Sequence, residues 1–84
     1  MRGNKRLNAA IMEVVENQLR DLDPPETRQT YDRLLSKGFS EKEAKRLLGV
    51  VVASEIFDIL KHQEPFNLAR FTKALSNLPR IPEG

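Results

Sequence analysis

The feature that most narrows what this chain can fold into lies between Ser40 and Lys61. Ala44, Leu47, Leu48, Val51, Val52, Ile56, Ile59 and Leu60 cover well over a third of a wheel drawn at 100° per residue. A helix that is apolar over so broad a sector needs other helices around it, so it is expected to be the central member of a bundle. The chain has only 84 residues to supply them. A domain of that size buries about 60 to 65% of the surface its unfolded form exposes, which leaves stability marginal and makes self-association favourable. There is no cysteine, hence neither a disulfide framework nor a thiolate zinc site to staple the domain.

Local signals divide the chain into four helices. Leu7, Ile11, Val14, Val15, Gln18 and Leu22 form one stripe, predicting a first helix over about 6–22. Gln18 is polar within that stripe, so either its amide finds buried partners or the stripe faces a wet interface. Pro24 and Pro25 end that helix, Asp23 is the expected cap of the next, and Glu26 takes the capping-box position. The second helix, about 24–37, has a thin stripe of Thr27, Tyr31, Leu34 and Leu35, and Gly38 stands where a left-handed residue would close it. Ser40 as N-cap, Glu43 as its box partner, and Phe39 placed to staple onto Ala44 start the third helix, which continues to about Lys61. Phe66, Asn67 and Phe71 repeat the same logic for a fourth helix over 68–77, with Leu68, Phe71, Leu75 and Leu78 facing inward. Pro79 and Pro82 end it. No strand alternation and no internal repeat are present. The expectation is one all-α domain over 1–84, a compact bundle of about four helices with the third central, and flexible ends at 1–5 and 79–84.

Composition excludes several function classes. Net charge is +2, from 14 Lys and Arg against 12 Asp and Glu, without the strongly basic stripe of a nucleic-acid binder. The longest unbroken apolar run, Val50 to Ala53, is far short of a membrane span, and no signal-peptide core follows the basic start, so a cytoplasmic protein is expected. The only histidine, His62, lies in a polar linker, where a cation near a helix C-terminus explains it; no catalytic triad can be assembled around it. Carboxylate metal chemistry in a bundle needs inward Glu-x-x-His motifs, which are missing, while solvated faces and helix starts account for Glu13, Glu16, Glu41, Glu43 and Glu55. Gly49, inside the third helix, marks close approach of a neighbouring helix. The turn from Tyr31 to Ser40 resembles a helix-turn-helix connection followed by Lys42, Lys45 and Arg46, but that helix continues as core and opens with acidic residues.

The segments Glu16-Asn-Gln-Leu19, Pro24-Pro25-Glu26 and Glu43-Ala44-x-x-Leu-Leu-Gly49 together resemble a family of small prokaryotic helical proteins of unknown function, over roughly residues 7–75 and in the family's C-terminal half. The family pattern runs approximately L-H-x-x-x-H-x-x-V-E-x-Q-L, then P-P-E, then E-A-x-H-x-I-G. The resemblance implies a helical fold and assigns no activity. Glu16, Gln18 and Gly49 match, whereas Asn8, Met12 and Arg46 stand where the pattern has histidine. Histidines four apart on one helix face, followed by a glutamate, would suit a metal in such relatives, and this chain lacks those imidazoles.

Val50 and Phe57, seven residues apart, fall outside the main apolar sector of the third helix and form a second, narrower stripe beside Arg46. They make Arg46, Val50 and Phe57 the interface candidates of a non-enzymatic protein that needs no cofactor and either forms a homo-oligomer, a dimer in the simplest case, or docks another protein. A competing reading is a degenerate metal or small-ligand site between the first and third helices at Asn8, Glu16 and Gln18. A third is a weak nucleic-acid module.

Overall fold

The computed structural model describes residues 5–82, and these form four helices and no strand: α1 (Lys5–Asp21), α2 (Pro25–Ser36), α3 (Glu41–His62) and α4 (Leu68–Asn77). Of the ends expected to be flexible, 1–4 and 83–84 lie outside the described residues. Lys5 is already helical, and at the other end the Arg80 N–H donates to the Asn77 carbonyl at 2.9 Å. No helix among the described residues is long and apolar enough to cross a membrane.

The fold is the expected all-α bundle with α3 at its centre: α3 packs on each of the other three helices, α2 also touches α1 and α4, and α1 and α4 do not pack on each other. The core runs through Ile11, Val15 and Leu19 of α1, Tyr31 and Leu34 of α2, Ala44 to Val52 of α3, and Phe71, Leu75 and Leu78 at the end of the chain. Met12 lies over Gly49 and Glu16 pairs with Lys45, so α1 and α3 run antiparallel. A Cβ at position 49 would come within 3.3 Å of Met12 Sδ and 3.4 Å of Ile11 Cγ2, a tight fit that would ask those side chains to give by a few tenths of an ångström.

The helix boundaries follow local chemistry. Gly38 (φ +101°) and Phe39 donate to the carbonyls of Leu35 and Leu34, the paired bonds of a Schellman ending. The Ser40 hydroxyl accepts from Glu43 N and the Glu43 carboxylate accepts from Ser40 N, both at 3.1 Å, which completes the capping box. The Asn67 side chain caps α4 by accepting from Arg70 N, and the Phe66 and Phe71 rings meet at 5.5 Å as a staple.

Four expectations are corrected. Asp23 does not cap α2; the extended Pro24 does, without a side-chain bond, its carbonyl accepting from Thr27 N while Pro25 occupies the first helical position. Leu7, Val14 and Leu22 are exposed because α1 meets the bundle along Ile11, Val15 and Leu19, a stripe rotated from the expected one, and Leu22 leaves the helix at φ +54°. Leu68 is exposed because it opens α4 a turn before Phe71, on the side where α1 does not reach α4. Leu60, assigned to the core, is 70% exposed, and Ile56 and Ile59 are only half-buried: α3 is longer than its neighbours, and its last turns pass beyond the packed centre.

Candidate functional site

The open surface of α3 is built by its own periodicity. Arg46, Val50, Ala53, Phe57 and Leu60 follow each other at spacings of four, three, four and three, the rhythm of a heptad seam. From Val50 onward burial falls toward the C-terminal end, after an exposed Arg46. Val50 and Ala53 are half-buried against α1, while Phe57 is 69% exposed and Leu60 70%. Side chains of this kind gain about 1.5 to 3 kcal/mol each when fully buried, so their exposure on adjacent turns of one helix is costly unless something covers them.

Beside the seam, Asn8, Ile11 and Met12 of α1 and Arg46, Gly49, Val50 and Ala53 of α3 line a shallow groove of about 360 Å³. Gly49 forms its floor, Met12 gives it an adaptable wall, and Arg46 stands at its rim with no carboxylate partner among the described residues. Asn8, Met12 and Arg46 thus share one groove. A second, smaller hollow of about 170 Å³ opens on the other side of α1, between Val14, Gln18, Ile56, Ile59, Phe66 and Phe71. It is the gap left because α1 and α4 do not meet.

The residues of the ligand-site reading are separated. Asn8 lines the groove, Glu16 accepts from Lys45 Nζ at 2.9 Å on the α1–α3 surface, and Gln18 turns the other way, its Oε1 accepting from the Thr27 hydroxyl at 2.9 Å. The polar break in the α1 stripe is therefore a partnered group, joined to a threonine only 1% exposed. Among the described residues no three His, Asp or Glu side chains converge as a metal would need. The basic trio is also divided, since Lys45 is engaged by Glu16 while Lys42 and Arg46 remain exposed.

Sequence reasoning placed Glu55 on a solvated face, and the structure buries it to 6% exposure. The Arg70 guanidinium donates to both of its oxygens at 2.8 and 2.9 Å, and Asn67 N donates to Oε2 at 3.1 Å. Asp58 and Glu64 approach the same guanidinium at 3.6 and 3.7 Å. The hydrogen bond from Arg70 holds the Glu55 carboxyl below its ordinary range, against the opposing effect of burial, and the Asn67 N–H and the Arg70 charge help. One carboxylate thus ties α3 to the start of α4 and carries Phe66 into place beside Ile56 and Ile59. The available signal was positional: Glu55 interrupts the buried stripe of α3 as Gln18 interrupts that of α1.

No family model, curated protein or solved structure matches this chain.

Proposed function

We propose that this protein is a non-enzymatic interaction module that self-associates through the outer face of α3, with Arg46, Val50 and Phe57 in the contact. The observation that carries the reading is the pair Phe57 and Leu60, both more than two-thirds exposed on a helix whose opposite side is core. Half-buried Val50 and Ala53 continue that apolar surface along the same seam. A fully buried phenylalanine contributes about 150 to 250 Å², so the exposed part of Phe57 with Leu60, Val50 and Ala53 makes a patch near the lower end of the range of about 300 to 600 Å² found on monomers, where such patches are often functional. A two-fold dimer is the simplest closed assembly such a patch can form.

Light scattering over a dilution series tests this. The wild-type chain is expected to pass from dimer to monomer as it is diluted through the micromolar range, and Phe57→Asp to remain monomeric at all concentrations with unchanged helicity. A wild-type chain that is monomeric throughout and indistinguishable from Phe57→Asp overturns the reading.

A further inference from the structure

The geometry points to a particular partner and register for this surface: a second copy of the chain, its α3 antiparallel to the first, with Phe57 of each copy seated in the groove beside Arg46 of the other. The inference rests on the self-association reading and adds orientation and contacts to it. A heptad seam packs in layers, and in an antiparallel pair a first-type position meets a fourth-type position of the other helix. A two-fold axis between residues 51 and 52 puts Val50 opposite Ala53 of the second copy and Arg46 opposite its Phe57. The seam has the asymmetry this requires. Its N-terminal end carries the 360 Å³ groove floored by Gly49 and walled by Met12, and its C-terminal end carries the projecting Phe57 ring. A two-fold rotation brings each ring over the other copy's groove, where the unpaired Arg46 guanidinium meets an aromatic face and Met12 offers a sulfur contact. Small Ala53 at the middle allows the two helices to approach closely.

Charge selects the same arrangement. Lys61 and Glu43 lie on one flank of the seam, 18 residues apart, and the same axis brings Lys61 of one copy beside Glu43 of the other. Lys61 has no ion pair among the described residues, and Glu43 uses one oxygen on Ser40 N and leaves the other open. A parallel pair would instead stack Arg46 on Arg46, with like charges at matching levels along both flanks. A foreign helix would have to reproduce both halves of a complementarity that this chain already carries.

Exchange of the charges tests the register. Lys61→Glu places two carboxylates at each contact and Glu43→Lys two ammonium groups, so each variant alone is expected to dimerise about tenfold more weakly than wild type. Mixed together, the two variants form a heterodimer in which both contacts are again Lys against Glu, and affinity returns to within a few-fold of wild type, as read by light scattering and by isotope-labelled mass spectrometry. Glu43→Lys also removes the capping-box carboxylate, so a second measurement is independent of it. In this cysteine-free chain, Val50→Cys and Ala53→Cys mixed under mild oxidation are expected to give the mixed disulfide in excess over either symmetric one. Selective heterodimers in both experiments support the register. A wild-type dimer that Phe57→Asp dissociates, but whose charge variants show no preference for each other and whose cysteine variants give no excess of the mixed disulfide, overturns the register and leaves self-association standing. A wild-type chain that never dimerises overturns both.

Discussion

The two halves of α3 have nearly the same apolar content and opposite surroundings. From Ala44 to Val52 its large side chains are enclosed by α1 and α2, and Gly49 brings α1 into contact. From Ala53 to Leu60 the composition remains apolar, but α1 is reaching its own start and α4 covers one side only, so Phe57 and Leu60 stand in solvent and Ile56 and Ile59 are half-covered. The difference teaches that apolarity along a helix reports a demand for burial and not who meets it. In the first half the chain meets it; in the second the chain leaves it open.

Substitutions along α3 sharpen or break this comparison. Leu48→Ala, at a fully buried site, is expected to destabilise by about 3 to 4 kcal/mol in urea unfolding, whereas Leu60→Ala should change the stability of the dilute monomer by less than about 0.5 kcal/mol. Equal effects at the two sites would remove the distinction. Glu55→Gln comes next, at about 2 kcal/mol, because a buried bidentate acceptor loses its charge while Arg70 keeps access to water. The sign with pH follows from the lowered carboxyl: the contribution is fully present above the ordinary value of 4.5 and is lost as pH falls through the lower folded-state value. Acid titration of stability in wild type should therefore show a loss below pH 4.5 that is reduced in Glu55→Gln. A smaller effect than that of Glu55→Gln, and of opposite sign, is expected outside α3. Leu22 leaves α1 in the left-handed region at φ +54°, so Leu22→Gly should stabilise by about 1 kcal/mol, read as a rise in melting temperature.

Much of the architecture was legible because it depends on neighbours in sequence. The Ser40–Glu43 box, the Gly38 ending and the Phe66–Phe71 staple each involve residues within five positions of one another, and each is found where the local pattern put it. Gly49 was legible as a close approach, since a helix tolerates glycine at a cost that packing has to offset. What sequence could not yield depends on partners far along the chain. Glu55 reads as a surface acid until Arg70, fifteen residues later, is brought over it. Leu60 reads as core until the length of α3 is compared with what surrounds it. Thr27 and Gln18 were each in view, but their hydrogen bond needed the α1–α2 turn to bring them together. Of the candidate site, Val50 and Arg46 were placed beside Phe57 by periodicity alone. The groove next to them comes from how α1 crosses α3, which no single-helix pattern contains.

Arg33 of α2 donates to the carbonyls of Leu75 and Leu78 at 3.0 and 2.8 Å, sharing the first with Leu78 N, which donates to it at 3.1 Å, and giving the second a partner on another helix. The last turn of a helix ordinarily frays, exchanging its amide hydrogens through small local openings. Here release of that turn also strips a guanidinium on α2 of its acceptors and uncovers Leu75 and Leu78, both about 1% exposed. The final turn of α4 should therefore exchange on the same schedule as the middle of α2, in one cooperative unit spanning more than forty residues of sequence.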